Sequence, residues 1–194
     1  MVLKALALVV SARKHGNCFD IGSYILEQLK EKGVGTELIN FWDYQITPCQ
    51  YCEYECLQKQ LCPIEDDVEA IWKKVWETEL LFLVIPNYGG MPPALWVAFS
   101  QRAQSLKAPS QDKSFISAIV LASPNTASGA QWTPSMISDE IKWMGKKVAC
   151  FEVINNNGYE CGNSYGGLIK EVEVKKRLAF IIDRSFRLAY SAKI

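Results

Sequence analysis

The chain has 194 residues, of which 49% are apolar and 22% charged, and its 21 basic side chains balance 21 acidic ones. That length fits one domain, residues 1–194, with an ordinary core, since chains divide mainly above ~250 residues. Balanced charge gives no electrostatic reason to expect nucleic acid or an anionic membrane as a partner, and no apolar run approaches the ~20 residues that span a bilayer.

Leu3 to Val10 is a continuous apolar run, the pattern of a central strand covered on both faces. The hydrophilic stretch Arg13-Lys14-His15-Gly16-Asn17 stands where a signal peptide would carry a small-residue cleavage site. The run is therefore read as a strand and the protein as cytoplasmic. A helix is predicted from about Asn17, with Asn17 as its cap, Asp20 at its third position, a stripe of Ile21, Ile25 and Leu29, and Gly33 as its end. Thr36 to Phe41 is the second strand. Asp66 or Asp67 opens a helix whose inner face is Val68, Ile71, Trp72, Val75 and Trp76. Leu80 to Ile85 is the third strand, and the loop from Pro86 to Pro93 leads into a helix carrying Leu95, Ala98, Phe99 and Arg102.

Ser114 to Ala122 is the fourth strand. Thr133 begins the next helix, with Pro134 in the first turn, where a missing N–H costs nothing. Lys147 to Ile154 is the fifth strand. A last helix runs from about Leu168 to Tyr190, with Val172, Leu178, Ala179, Ile182, Phe186 and Ala189 facing inward. This alternation predicts an α/β fold in three layers, a doubly wound five-stranded parallel sheet between helices. Two irregular stretches interrupt it: residues 42–65, and the Asn- and Gly-rich segment from Asn155 to Gly167.

In such a sheet, ligands bind at the carboxyl ends of the strands where the winding reverses. The loop Ser11-Ala12-Arg13-Lys14-His15-Gly16-Asn17-Cys18 joins hydroxyl donors, two cations, a turn-permitting glycine and a helix N-terminus, which together suit a phosphate. It is neither the dinucleotide pattern G-x-G-x-x-G nor the Walker pattern, so a phosphomonoester is the better ligand. A solvated turn that binds nothing is the alternative. His15, the only histidine, is assigned proximity to the phosphate at most.

Seven cysteines argue for reduced thiols rather than a complete disulfide framework. Four of them, Cys49-x-x-Cys52-x-x-x-Cys56-x5-Cys62, offer four soft thiolates in the 42–65 insert. A 4Fe-4S cluster, a tetrahedral zinc ion and free or redox-active thiols are all open readings. Cys150 reads as a small buried residue of the fifth strand, and Cys161 lies in the Asn- and Gly-rich segment without an assigned role.

Three separated segments resemble the NADPH-dependent FMN reductase and iron–sulfur flavoprotein family. Ser11-x-Arg13-x-x-Gly16-Asn17-Cys18 is similar to its phosphate loop S-P-R-K-x-G-N-S/T. Ile85-Pro86-Asn87-Tyr88-Gly89-Gly90-Met91 is similar to its flavin-edge loop. Pro48-Cys49-x-x-Cys52, followed by Cys62-Pro63-Ile64-x-Asp66-Asp67, resembles its cysteine insert. Four departures stand out: Cys18 replaces Ser or Thr, Ala12 replaces Pro, the interval before Cys56 is one residue longer, and the segment from Ser123 to Gly129 lacks the Gly-rich form of the family's third flavin loop.

The resemblance implies a flavodoxin-like fold and FMN as cofactor. Ser11, Arg13, Gly16, Asn17 and Cys18 would hold its phosphate. Pro86, Asn87, Tyr88, Gly89, Gly90 and Met91 would border the ring through backbone N–H groups, and Ser123, Asn125 and Gly129 would form a third loop. It further implies NAD(P)H as co-substrate, a small-molecule or protein electron acceptor, and a dimer or tetramer whose boundary could use Trp96 and Trp132. No side chain is assigned as a catalytic acid or base, because the cofactor supplies the redox chemistry. Two rival readings remain, a non-enzymatic electron carrier of flavodoxin type and a zinc-stapled α/β interaction module. Against the carrier, short-chain flavodoxins are usually strongly acidic, whereas this chain is neutral.

Overall fold

The structure, a computed structural model, describes residues 2–105, 116–123, 132–143, 147–155 and 165–191. Five parallel strands, β1 (Lys4–Val9), β2 (Gly35–Asn40), β3 (Leu80–Pro86), β4 (Ile116–Ser123) and β5 (Lys147–Asn155), form one sheet in the order β2-β1-β3-β4-β5. That is the flavodoxin-type doubly wound order, in which the winding reverses between β1 and β3. β3 is buried along its whole length, as its unbroken apolar sequence requires. One residue of β5 bulges where the β4–β5 register passes from Ser117–Val148 to Ala118–Cys150.

Successive side chains of a strand point to opposite faces, so the sheet supplies two cores. On one face Ala5, Ala7, Val9, Phe82 and Val84 pack against α1 (Asn17–Glu31) and α6 (Val172–Ser191). On the other, Leu6, Leu8, Leu81, Leu83 and Ile85 pack against α3 (Val68–Trp76), α4 (Ala94–Gln101) and α5 (Trp132–Trp143). Trp72 of α3 stacks on Phe99 of α4 at 4.4 Å and donates its indole N–H to the Phe99 carbonyl. A five-residue helix, α2 (Glu55–Lys59), lies within the cysteine insert.

Four local expectations are corrected. Asn17 is the first helical residue of α1 and Gly16 its cap, because the Asn17 side chain accepts from the Leu168 amide at 3.2 Å instead of capping its own helix. The last helix begins at Val172, after a separate 3-10 turn over Leu168–Lys170. Val172 and Ala179 face solvent; the buried stripe instead takes in Val174, Ile181 and Ser185 beside Leu178, Ile182 and Ala189. Trp96 is 1% exposed, held by packing against Phe99 and by a hydrogen bond from its indole N–H to Glu140, whereas Trp132 is exposed.

Gly22 lies where α1 crosses β1: a Cβ built there would come within 2.8 Å of Val9 Cγ2, and Val9 is fully buried. Gly22→Ala therefore loses more by overpacking, about 1–3 kcal/mol, than the ~1 kcal/mol that alanine gains in helix propensity. Urea unfolding of the variant is expected to show a lowered midpoint, and a raised midpoint would contradict this packing.

Candidate functional site

A cleft opens at the carboxyl ends of β1, β3 and β4, where an open α/β sheet takes its ligands. Ser11, Arg13, His15, Gly16, Asn17 and Cys18 line it from the loop after β1. Pro86, Asn87 and Tyr88 line it from the loop after β3, and Ser123 from the end of β4. Gly89, Gly90 and Met91 belong to the same β3 loop but are not part of its lining, and Asn125 and Gly129 lie outside the described residues. Phe19, Ala122 and Leu168, none of them anticipated, complete the lining.

The β1 loop is tied in place from three sides. The Arg13 amide donates to Ser11 Oγ at 3.1 Å, and Asn40 Nδ2 donates to the Lys14 carbonyl at 2.8 Å. The Arg13 guanidinium lies 5.1 Å from the centre of the Tyr165 ring. Gly16 has φ 140°, a conformation that residues with a Cβ rarely adopt, so the turn into α1 favours glycine. No side chain caps α1, and the amides of Cys18 and Phe19 find no acceptor among the described residues. Those donors, the positive end of the helix and the Arg13 cation converge on one end of the cleft, which fits a phosphate dianion.

Cys18 does not behave as the hydroxyl it replaces. It is buried in the core beneath α1, and burial pushes its thiol up to about 12, outweighing the opposing pull of Arg13, while Asp20 adds to the rise. It is a neutral thiol at physiological pH, and only its backbone N–H is an effective donor.

Beyond β3, Tyr88 and Met91 exchange two backbone hydrogen bonds of 3.0 and 3.1 Å across Gly89 and Gly90, which have φ of 59° and 86°. Two positive φ values between paired residues make a tight hairpin turn that selects a glycine pair. The Asn87 amide is spent on the Ala122 carbonyl, and Pro86 has none. Of the backbone donors anticipated over Pro86 to Met91, only those of Gly89 and Gly90 therefore lack an acceptor among the described residues. Buried Asn87 faces Ser123 Oγ at 3.5 Å, and Thr133 Oγ lies 3.2 Å from Asn87 Oδ1 and 3.4 Å from the Gly90 carbonyl. Thr133 thus fastens the turn to α5. From sequence alone it marks only a helix start, because nothing there joins positions so far apart.

A second cleft, of about 780 Å³, is lined by Cys49, Cys52, Cys56 and Cys62, together with Arg102. None of the four forms a disulfide. Burial, and then the neighbouring thiols of Cys52, Cys62 and Cys49, push the Cys56 thiol up. No three of the described histidine, cysteine and acidic side chains are gathered tightly enough to hold a metal ion. At the floor of the cleft Arg102 and Asp66 form an ion pair with side chains 2% and 0% exposed. Arg102 also donates to the carbonyls of Thr47 at 3.2 Å and Ile64 at 3.1 Å, and to Cys62 Sγ at 3.3 Å. Burial alone would raise the Asp66 pKa, but bonds from Arg102 and from the Thr47 and Val68 amides outweigh it and hold the carboxyl below its ordinary value. Asp67 accepts from the Gln45 amide at 2.7 Å. The Asp-Asp pair therefore ties down the insert at its exit, a role beyond opening α3. Glu53, Tyr54 and Gln60 adopt left-handed φ values of 51–59°, a conformation that costs non-glycine residues roughly 1–3 kcal/mol each.

The model of the NADPH-dependent FMN reductase family matches residues 3–139. Among curated relatives, an iron–sulfur flavoprotein of Methanocaldococcus jannaschii is 28% identical over 70% of this chain and 69% of its own length. One from Methanosarcina thermophila is 30% identical over 54% of each chain, so the match spans about half of that relative. Among solved structures, RosB with bound 8-demethyl-8-formylriboflavin-5'-phosphate superposes with a TM-score of 0.75 at 15% identity, covering 99% of this chain and 81% of RosB. An NAD(P)H:quinone oxidoreductase from Methanothermobacter marburgensis superposes with a TM-score of 0.66 at 14% identity, over 97% of this chain and 95% of that one. At such identities the structural likeness speaks for the fold.

The Cys18 thiol generates a pH dependence of definite sign. An acid whose folded-state pKa lies above its unfolded value binds more protons when folded, so its contribution to stability is complete below the unfolded value of 9.0 and is lost as pH climbs towards about 12. The full contribution is about 4 kcal/mol at most. Stability measured by urea unfolding between pH 8.5 and 11 is expected to fall more steeply for the parent than for Cys18→Ser; equal slopes would show that this thiol is not desolvated.

Proposed function

The chain belongs to the NADPH-dependent FMN reductase family, a family of FMN-dependent oxidoreductases, and we propose that it passes electrons from NAD(P)H through FMN to an acceptor, as an iron–sulfur flavoprotein. The observation that carries this reading is the cleft at the β1/β3 reversal, which has an anion-seeking end on α1 and, at its side, a turn whose two glycine amides meet no acceptor among the described residues.

In this reading Ser11, Arg13, Gly16, Asn17 and Cys18 seat the FMN phosphate. Arg13 supplies the charge, and the α1 amides supply directed donors that need no reorganisation. The N–H groups of Gly89 and Gly90 face the ring edge and favour the negative charge that accumulates there on reduction. Asn87, Ser123 and Thr133 hold that turn rigid from beneath, and Tyr88, 37% exposed, borders the mouth where a nicotinamide would enter. FMN, when bound, supplies the two-electron chemistry, so the chain needs no general acid or base.

Four free thiols on one cleft form an all-sulfur donor set that suits a soft metal group. Cys49, Cys52, Cys56 and Cys62 would hold a 4Fe-4S cluster, which supplies one-electron transfer towards the acceptor. The strained backbone of Glu53, Tyr54 and Gln60 supports an insert shaped for something it binds. The protein works as a cytoplasmic homo-oligomer, with the exposed Trp132, Met136 and Met91 available for a subunit boundary.

Titration with FMN, monitored by quenching of its fluorescence, is expected to show saturable binding. Arg13→Ala is expected to weaken FMN binding about 10–100-fold, the value of one charge-assisted hydrogen bond, and to leave riboflavin binding nearly unchanged. Equal loss for both ligands would place the phosphate elsewhere. Under anaerobic conditions NADPH is expected to bleach the bound flavin spectrum; a flavin that NADPH does not alter would mark an electron carrier instead.

A further inference from the structure

Arg102 sits where the cysteine insert meets the body of the protein. It begins the 3-10 turn that follows α4, and its side chain, almost wholly buried, is the floor of the cysteine cleft. Its guanidinium reaches four partners at once, the Asp66 carboxylate, the Thr47 and Ile64 carbonyls and Cys62 Sγ. Three of the four only anchor the insert. The fourth is one of the sulfurs that the proposed metal group would use.

We propose that Arg102 is a positioning residue for the soft metal group of the cysteine cleft, presenting Cys62 in place and donating to its sulfur an N–H···S hydrogen bond that raises the group's reduction potential. The inference rests on the reading of the cysteines as cluster ligands, and it follows from which charges are screened. Glu53 and Glu55 lie between ligands and would push the potential down, but Glu53 is exposed and Glu55 is paired with Lys59 at the surface, where water and salt weaken such effects. Asp66 neutralises most of the Arg102 charge. What remains is the directed donor on sulfur, from a guanidinium that solvent scarcely reaches, and hydrogen bonds to the sulfurs are among the determinants of such potentials. A planar fork with several donors can serve Asp66, Ile64 and Cys62 together, whereas the single ammonium of a lysine cannot.

The test uses the full-length protein reconstituted anaerobically with ferrous iron and sulfide. The parent, Arg102→Lys, and the double variant Arg102→Met with Asp66→Asn, which removes the pair without changing net charge, are titrated redox-potentiometrically by EPR. Circular dichroism and FMN content report the fold. Both variants are expected to show a potential lowered by at least a tenfold shift in the reduction equilibrium, ~59 mV for a one-electron couple. The parent grown on ¹⁵N-arginine is expected to show a guanidinium nitrogen coupling in the pulsed EPR of its reduced cluster, a readout that needs no variant to fold. A parent that loads iron but shows no such coupling, or folded variants with the parent's potential, overturns the role of Arg102 alone. A parent that takes up no iron and sulfide overturns the cluster reading, and this inference with it.

Discussion

The parallel pairing of β1 with β3 is the constraint from which the rest of the molecule follows. With β2 on one side of β1 and β4 and β5 beyond β3, the connections must run to opposite faces, and the loops after β1 and β3 diverge to leave a crevice between them. The order of five apolar segments thus decides where a ligand can sit, before any polar residue is considered. In the proposed reading the polar residues then select the ligand: the N-terminus of α1 and Arg13 at one end, the Gly89–Gly90 turn at the other. The family match over residues 3–139 takes in every residue that lines this crevice except Leu168.

The cysteine insert obeys a different logic. It is held by a buried ion pair and by backbone hydrogen bonds to two aspartates, with little apolar packing of its own, and Tyr51, Tyr54, Leu57 and Leu61 remain exposed. A segment built in this way costs stability to maintain. Side chains as inaccessible as those of Asp66 and Arg102 carry charge at low cost only when they are paired and hydrogen-bonded. That the partners include the last cysteine of the set ties the reason for the ion pair to the reason for the cysteines.

Much of this was legible in sequence because strands buried on both faces are unbroken apolar runs. Leu3 to Val10 and Leu80 to Ile85 could hardly be anything else, and Gly16 with the cations Arg13 and Lys14 marks the first loop as one that suits an anion. Where the reading failed, periodicity competed with contacts made across the fold. Val172 and Ala179 fit an apolar stripe drawn from a helix start that was too early. Trp96 looked available for an interface, yet α4 turns it inward against Phe99. Asn17 has the chemistry of a cap but bonds to Leu168, 151 positions away. Arg102 and Thr133 were noticed only as members of helices, because what gives them meaning is a partner that no local pattern reveals.

The central claim is that the amides opening α1 and the Arg13 cation seat a flavin phosphate, with the ring lying along the turn after β3. A crystal structure of the protein grown with FMN tests this most directly. The account predicts the phosphate within hydrogen-bond distance of the Cys18 and Phe19 amides, and the ring edge facing Gly89 and Gly90. Flavin bound with its phosphate away from α1, or crystals that exclude FMN from this cleft at saturating concentration, would contradict it.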